Sequence, residues 1–422
     1  MSTQTLPDLS QLAVAPGVDA ALGWLESRSS TMIDTTMTWS AVNSGSRENA
    51  GLDRMRGLLA DSFSALPGDV AEAKLAPSSR VTAAGVVEEV SHPPALRIKV
   101  RPRAPLQVAL TGHYDTVFPA SHPFQTPGRR ADGALHGPGV ADMKGGLVVM
   151  LQALRAFETL PFKDSLGYEI LLSPDEEIGS PASAALLADL GARSHVGMTY
   201  EPALASGAMV HARKGSGIFT LIMRGRAAHV GRAFDDGRSA IVAAAEAVTR
   251  LHAINGQRDG VTVNIGAIDG GGPVNIVPDM AVVRFNIRVP DAENAVWAKA
   301  QADAVVAALA GLDGVSCELL GGFGRPPKPL TAAQATMVAW TKAAGAPLGL
   351  DLSFQASGGV CEGNNLAAAG CPNIDTLGPC GGALHSDEEF ALAESFSPRS
   401  QLSLMLLAGF ASGALDLAEL RG

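Results

Sequence analysis

Apolar runs that alternate with helical patterns constrain the fold of this chain more than any other feature. Residues 106–111 (LQVALT) form an apolar run that ends at a glycine, which is typical of a buried strand. Residues 143–160 follow a helical pattern, and residues 168–173 (YEILLS) are again strand-like. Strands separated by helices predict an α/β fold with a mostly parallel sheet, covered by helices on both faces.

The middle of the chain follows a different order. Strand-like residues 217–224, 261–268, 281–289 and 314–320 are interspersed with helical residues 237–252 and 292–310. This β-α-β-β-α-β order is typical of a ferredoxin-like unit. Beyond it, residues 331–344 read as helical, 370–376 as a strand and 389–420 as mostly helical. We therefore predict one α/β domain, residues 1–213 and 326–422, interrupted by a ferredoxin-like domain, residues 214–325.

Charge and cysteine content exclude several classes of protein. The 422 residues carry a net charge of −10 and no run of lysine or arginine, which disfavours a nucleic-acid partner. The four cysteines lack CxxC spacing, so neither a disulfide scaffold nor a cysteine-ligated zinc site is expected. No secretory signal or membrane-spanning stretch is visible. We expect a cytoplasmic protein that has no membrane partner.

Metal-ligand residue types follow several of the predicted strands. His113 comes just after the first apolar strand, and Asp115 is two residues further on. A metal-bound imidazole usually donates its other ring N–H to a carboxylate, and Asp115 is suitably spaced for that role. A polar turn after a strand would show the same pattern.

Three acidic residues lie in the next loops. Asp142 lies at a loop-to-helix junction, where it could also be a helix N-cap. Glu176 and Glu177 are adjacent after the strand YEILLS, so their side chains diverge, and one could bind a metal while the other holds a water molecule. A solvated acidic turn is the alternative.

Two further candidates lie downstream. Glu201 ends another short strand, and His385 precedes the last helical segment. Because a parallel sheet gathers the carboxyl ends of its strands at one edge, these side chains could converge. Mixed histidine and carboxylate ligation suits zinc, and a bridging carboxylate suits two zinc ions.

Five segments together resemble the M20 family of metallopeptidases and amidohydrolases. They are HYDTVFP, GPGVADMKGG, DEEIGS, YEP and LHSDEE, in the order and with the spacing of that family. The resemblance covers nearly the whole chain, including the inserted domain. It implies a hydrolase with two zinc ions per subunit, for which cobalt or manganese could substitute.

The resemblance also implies a role for each of these residues. Asp142 would bridge the two ions, His113 and Glu201 would bind one, and Glu177 and His385 the other. The remaining two residues would not bind metal: Glu176 would be the general base, and Asp115 would orient the first histidine. A carboxylate without a metal bond can take a proton from water and pass it to the leaving amine.

In the inserted domain, residues 225–232 (GRAAHVGR) match a family segment whose histidine reaches the active site of the partner subunit. His229 would then stabilise the tetrahedral oxyanion in trans, and we expect a homodimer. Pairing of two inserted domains would also hide the open edges of their sheets. An exposed turn histidine is the alternative interpretation.

Within the family, the chain most resembles the glutamate carboxypeptidases that cleave folate-type amides. In that subgroup, the positions of Asn275, Arg288 and Arg325 hold substrate carboxylates, and Gly358 and Gly359 match a glycine turn that lines the pocket. The planar fork of arginine suits a carboxylate because it can bind both oxygens. A solvated strand residue and a hinge charge are the alternatives for the two arginines.

The leading prediction is a dizinc hydrolase that cleaves an amide next to a free carboxylate and releases a C-terminal amino acid, such as glutamate. Its substrate would be a small molecule or short peptide with a free carboxylate. An N-acyl-amino-acid deacylase, of the acetylornithine or succinyl-diaminopimelate type, would break the same kind of bond. A catalytically silent binding protein is disfavoured because every metal and base position is filled.

Overall fold

The computed structural model describes residues 7–417 and residue 420. Its helices are α1 (Ser10–Ala13), α2 (Pro16–Ser27), α3 (Ser29–Ser40), α4 (Asn49–Phe63), α5 (Lys144–Phe157), α6 (Ala184–Arg193), α7 (Ala240–His252), α8 (Ala292–Ala310), α9 (Ala332–Gly345), α10 (Glu362–Ala368) and α11 (Phe396–Ser412). None of these helices has both the length and the apolar character that a membrane span needs.

The strands are β1 (Asp69–Ala73), β2 (Ser78–Val81), β3 (Val87–Val90), β4 (Ala95–Val100), β5 (Leu106–His113), β6 (Gly128–Arg129), β7 (Leu135–His136), β8 (Leu166–Ser173), β9 (Val196–Thr199), β10 (Ala203–Leu204), β11 (Met209–Arg213), β12 (Gly215–Arg224), β13 (Ala228–His229), β14 (Thr262–Gly270), β15 (Ile276–Val277), β16 (Met280–Val289), β17 (Ser316–Arg325), β18 (Phe354–Ser357), β19 (Asn373–Asp375), β20 (Cys380–Gly382) and β21 (Phe390–Ala391).

The largest sheet has six strands in the order β1-β4-β8-β5-β9-β19. The pairs β8-β5, β5-β9 and β9-β19 are parallel, whereas β4 is antiparallel to both of its neighbours. The sheet is therefore mostly parallel, as the alternating strand and helix signals predict. We call this sheet with its helices the main domain.

Both faces of this sheet are buried. On β5, Val108 and Leu110 belong to a large apolar core that includes residues of α2, α3, α5, α9 and α11. Ala109, which points to the opposite face, belongs to a smaller core with Leu187 of α6 and Leu366 of α10. Because helices cover both faces, the central strands are continuous apolar runs rather than alternating ones. The prediction of an α/β fold is confirmed.

The inserted domain runs from β12 to β17. Its four-stranded antiparallel sheet has the order β14-β16-β12-β17, which in chain order is 2-3-1-4, the arrangement of a ferredoxin-like unit. Helices α7 and α8 pack on one face of this sheet. Both begin at capping side chains, because Ser239 accepts from the Val242 N–H and Asp291 from the Asn294 N–H. The other face borders a cleft against the main domain.

The structure differs from the predictions near the C-terminus and contains elements that the sequence patterns did not indicate. In the described part of the segment 389–420, the α-helix is α11, which a 3-10 turn at Ala393–Ser395 precedes and Gly413, with φ 77°, caps. Before that helix, Phe390 and Ala391 pair with β20 and β7 instead. Residues 418 and 419 lie outside the described residues. The elements that the sequence patterns did not indicate include the helices α2 to α4 and a hairpin, β2-β3.

Candidate metal centre

Two groups of metal-binding side chains share one aspartate. The first contains His113, Asp142 and Glu201, and the second contains Asp142, Glu177 and His385; within each group the ligand atoms lie within 4.8 Å of one another. Oδ1 of Asp142 is 3.1 Å from Nε2 of His113, whereas its Oδ2 is 3.4 Å from Nε2 of His385. The two oxygens of this carboxylate therefore face different groups, as a bridging ligand requires.

The sheet order explains why these residues meet. His113 is the last residue of β5, Glu177 lies in the turn after β8, and Glu201 follows β9 by two residues. Strands β8, β5 and β9 are parallel neighbours, so their carboxyl ends lie at the same edge of the sheet. The predicted convergence of the ligands on one edge is what the structure shows.

Helix α5 approaches this edge unusually closely. A Cβ atom on Gly146 would lie 1.9 Å from the carbonyl oxygen of Tyr200, the residue before Glu201. Only glycine permits that distance, because any side chain would collide with the backbone. The close contact places Asp142, just before α5, beside Glu201, just after β9.

Asp115 connects the first histidine to the acidic turn. Nδ1 of His113 is 3.0 Å from the backbone carbonyl oxygen of Asp115 and 3.2 Å from its Oδ1. The two carboxylate oxygens accept the backbone N–H groups of Glu176 and Glu177, each at 3.1 Å. The hydroxyl of Ser46 donates to the same carboxylate at 2.7 Å. The carboxylate of Asp115 thus lies between His113 and the backbone of the acidic turn.

Sequence reasoning missed Glu389, which holds the loop of the shared aspartate. Its carboxylate is buried and accepts three backbone N–H groups, from Gly139 at 3.2 Å and from Ala141 and Asp142 at 3.0 Å. Burial, together with the negative charge of Asp142, raises the pKa of Glu389 to about 7. The segment LHSDEE offered several acidic residues and no pattern that distinguished this one.

His385 is held in a strained backbone conformation. Its φ is 61°, in the left-handed region that a side chain other than glycine rarely adopts, and Ala383 nearby has φ 53°. Such conformations cost on the order of 1–3 kcal/mol and concentrate at functional sites. Nε2 of His385 lies 3.1 Å from Oε2 of Glu177.

The electrostatics of the cluster fit a divalent cation. Burial and the nearby charge of Asp142 raise the pKa of Glu177 to about 8 and the pKa of Glu201 well above its usual value. Oε1 of Glu201 is buried without a hydrogen-bond partner. A cation between these groups would neutralise the crowded carboxylates and satisfy that oxygen, and histidine with carboxylate is a donor set that zinc accepts.

Glu176 belongs to neither group of ligands. It is buried in the same turn, and its carboxylate contacts Nη1 of Arg325. Nη2 of that arginine donates to the carbonyl oxygen of Glu176 at 2.9 Å and to the hydroxyl of Ser180 at 2.7 Å. Arg325 is therefore buried, and its Nη1 and Nη2 are directed at the turn of the predicted base rather than at the open cleft. Its Nε has no hydrogen-bond partner.

Three of the other predicted substrate contacts, Arg288, Gly358 and Gly359, lie at the cleft between the domains, whereas Asn275 lies elsewhere. Arg288 and Gly359 line the cleft between the domains, which has a volume of ≈ 2010 Å³ and also contains Asp142, Glu176 and His385. Gly358 lies between two cleft-lining neighbours, Ser357 and Gly359.

Neither His229 nor Asn275 is brought to this cleft. The N–H of Val230, next to His229, donates to the carbonyl oxygen of Asn275 at 3.1 Å, and β13 pairs with β15. The two residues therefore lie together on the inserted domain. If His229 acts in a partner subunit, Asn275 must act there as well.

Comparison with known proteins agrees with this geometry. The model of the peptidase family M20/M25/M40 matches residues 109–408. Carboxypeptidase G2 from a Pseudomonas species is 27% identical over 318 residues, which are 71% of this chain and 73% of that protein. Succinyl-diaminopimelate desuccinylase from Bordetella pertussis is 28% identical over 330 residues, 72% of this chain and 84% of the relative.

Solved structures share the same fold. A tripeptidase from Staphylococcus aureus is 23% identical and superposes with a TM-score of 0.69, covering 91% of this chain and 99% of its own. Human carnosine dipeptidase 1 is 15% identical with a TM-score of 0.70, over 93% of this chain and 99% of its own.

Proposed function

The chain belongs to the peptidase family M20/M25/M40, and we propose that it hydrolyses an amide bond next to a free carboxylate, releasing an amino acid. The observation that carries this proposal is the pair of ligand groups that share Asp142, with Glu176 beside them and outside both groups. A carboxylate in that position is suited to proton transfer rather than to metal binding.

We propose two zinc ions per subunit, the first held by His113 and Glu201, the second by Glu177 and His385, and both by Asp142. When bound, such a pair of ions lowers the pKa of water and polarises the scissile carbonyl. Cobalt or manganese would fit the same donors.

Glu176 would take a proton from the attacking water and deliver it to the leaving nitrogen. One water molecule thus supplies the oxygen of the new C–O bond and the proton that the nitrogen receives when the C–N bond breaks. Arg325 and Ser180 restrict the movement of the turn that carries Glu176. Arg288, which faces the cleft, would hold the free carboxylate of the substrate.

The relatives represent two versions of one reaction. A carboxypeptidase releases a C-terminal amino acid, and a desuccinylase removes a succinyl group from an amine. Both enzymes break an amide bond, so the mechanism above serves either version. We favour the carboxypeptidase version, in which the carboxylate lies on the leaving side, because Arg288 lies near the turn of Glu176 and carries an unpartnered donor.

The test is hydrolysis by protein that has been stripped with a chelator and reloaded with zinc. We expect turnover of N-acyl amino acids or dipeptides only after reloading. Glu176→Gln should abolish turnover while the protein keeps its metal, whereas Glu177→Gln should lose metal. Metal loss in Glu176→Gln would make this residue a ligand. An inactive wild-type protein that contains zinc would overturn the proposal.

We also propose a homodimer formed through the inserted domain. Near His229 and Asn275, this domain exposes several large apolar side chains: Val230, Phe234, Ile268, Val274 and Ile276. β14 is an edge strand of its sheet, and pairing would cover such an edge. Contact between two copies would bury apolar surface and could bring His229 of one subunit towards the cleft of the other.

A further inference from the structure

The charges in the cleft bear on which substrate side chains it accepts. Among the described lining residues, the permanent cations are arginines: Arg47, Arg80, Arg213, Arg284, Arg288 and Arg325. A substrate with a second carboxylate needs a second cation that is free to bind it. The relevant question is therefore which of these guanidinium groups already has a carboxylate partner.

Two of these arginines are neutralised near the cleft surface. Nη2 of Arg80 lies 2.8 Å from Oε2 of Glu88 on the neighbouring strand of the β2-β3 hairpin. Arg284 forms an ion pair with Asp269 and donates to the carbonyl oxygen of Val81 at 2.9 Å.

Two more are neutralised in buried positions. Arg213 is bidentate to Asp375, with both contacts at 2.8 Å, and its remaining Nη1 faces the carbonyl oxygen of Gly359 at 3.4 Å. Arg325 binds Glu176 and Ser180 as described above. Breaking either buried pair to bind a substrate would leave a carboxylate without its cation.

Of the buried or half-buried arginines that line the cleft, Arg288 remains without a carboxylate partner among the described residues. It is half-buried, its Nε donates to Oδ1 of Asn286 at 2.9 Å, and its Nη1 is buried without a hydrogen-bond partner. A buried donor of this kind is costly unless a ligand satisfies it. Arg47, by contrast, is exposed to solvent. Within one subunit, the cleft therefore offers one desolvated anchor for one carboxylate.

The remaining walls are uncharged or negative. The main domain contributes Leu204, Val210, Gln355, Val360 and Thr376. The inserted domain contributes Ile218, Thr220, Leu320 and Phe323, and the hairpin adds an exposed carboxylate, Glu89. A second anionic group would lose water here without gaining a cation, and the burial of an unpaired charge is strongly unfavourable.

We propose that the substrate carries a single carboxylate, namely that of the released amino acid, and is neutral at both the amino-acid side chain and the acyl group. This inference rests on the proposed function and specifies its substrate class as N-acyl or peptidyl derivatives of neutral amino acids. It replaces the glutamate preference that the resemblance implied. It also excludes a succinyl group as the preferred acyl part.

Isosteric substrate pairs test the charge alone. For the zinc-loaded enzyme we expect kcat/KM for N-acetyl-glutamine to exceed that for N-acetyl-glutamate by about 10-fold or more, since the unpaired charge is penalised. N-succinamoyl-leucine, in which the free carboxylate of the succinyl group is an amide, should likewise exceed N-succinyl-leucine. Equal rates, or a preference for glutamate or for the succinyl group, would overturn the inference and leave the proposed function intact. If the enzyme hydrolyses none of these four substrates, the proposed function itself would be overturned.

Arg288→Ala identifies which carboxylate the anchor holds. We expect KM to rise by similar factors for the glutamine and glutamate substrates, because both carry the same α-carboxylate. A rise confined to the glutamate substrate would place Arg288 at the side chain and contradict the inference. Binding of the products gives a readout without turnover: glutamine should raise the Tm of the zinc-loaded enzyme more than glutamate does, and the reverse order would contradict the inference.

Discussion

At the scale of single residues, Asp115 lies between His113, a proposed metal ligand, and the turn that carries the proposed base. Loss of its carboxylate would remove the 3.2 Å contact with Nδ1 of His113, which keeps its hydrogen bond to the backbone carbonyl oxygen of residue 115, and would release the backbone N–H groups of Glu176 and Glu177. We expect Asp115→Ala to weaken zinc binding by about 10–100-fold, the usual effect of removing an outer-shell partner. Competition with a chromophoric chelator measures this. Ser46→Ala removes one hydroxyl from the same carboxylate and is the milder control; equal affinity in wild type and Asp115→Ala would contradict the role.

Proton release on metal binding is a second prediction at this scale. In the metal-free protein, hydrogen bonds to Asp142 and Glu177 raise the pKa of His385 to about 11, and burial raises that of Glu177 to about 8. The pair formed by His385 and Glu177 therefore holds a proton at pH 7, and a metal must displace it. Zinc affinity should fall as the pH is lowered from 8 to 6.

Calorimetry in buffers of different ionisation enthalpy measures the protons released at pH 7. We expect release of at least about one proton per chain. An affinity that does not change with pH, with no proton released, would show that the ligands are already deprotonated.

At the scale of elements, the two chain crossovers between the domains are tied to one buried aspartate. Arg213, at the end of β11, and Lys328, after β17, bond to each other through their backbones. Their side chains both bind Asp375 at the end of β19, at 2.8 Å and 2.7 Å. Asn364 of α10 adds hydrogen bonds to the carbonyl oxygens of Lys214 and Pro326. The hinge is therefore anchored to the main sheet.

Removing the charge of Asp375 should destabilise the protein strongly. Asp375→Asn leaves two buried cations without a counter-charge, which costs about 3–5 kcal/mol of unfolding free energy. Urea denaturation measures this. Glu246→Gln, which breaks an exposed helical pair with Arg250, is the matched control and should cost less than about 0.5 kcal/mol. Equal effects of the two variants would contradict the anchoring role.

The same aspartate predicts a loss of stability in acid. The pKa of Asp375 is lowered to about 2, because Arg213 and Lys328 outweigh the effect of burial. A carboxyl group whose pKa is lower in the folded state stabilises the protein above its unfolded pKa. That contribution should disappear as the pH falls from about 4 towards 2. The difference in unfolding free energy between wild type and Asp375→Asn should become smaller over this interval.

Elements with strong local patterns were the ones that sequence could predict. The strands β5 and β8 carry apolar runs, α5 has clear helical periodicity, and α8 is rich in alanine. The β2-β3 hairpin lacks such a pattern because it is mostly exposed and polar. It is held by long-range contacts, including a 2.7 Å hydrogen bond from Arg224 to the carbonyl oxygen of Gly85.

Some residues of the candidate site could likewise be predicted from the sequence, and others could not. Ligands at strand ends, such as His113 and Glu201, could be predicted because a parallel sheet brings such ends together. The partner of Arg325 could not, since Glu176 is distant in sequence and the contact depends on how the inserted domain sits against the main domain. Asp375 and Lys328 were missed for the same reason.

At the scale of the whole molecule, the proposed dimer makes each active site depend on both subunits. His229→Ala should lower kcat by about 100-fold or more, the scale of one oxyanion donor. The Glu176→Gln protein should also be inactive. After the two variants are mixed and allowed to exchange subunits, about one quarter of wild-type activity should return, because half of the dimers are mixed and each contains one complete site.

If His229 acted within its own subunit, mixing would restore no activity. A monomer by light scattering, with full activity, would contradict the dimer altogether. Each variant incubated alone under the exchange conditions is the control.

The central claim is that one aspartate is shared by two metal ions in a single catalytic centre. Elemental analysis of the zinc-reloaded protein tests it most directly. We predict about two zinc ions per chain in the wild type and less than one in Asp142→Ala, because both groups lose a ligand. Zinc absent from the reloaded wild type, or two ions retained by Asp142→Ala, would contradict the account.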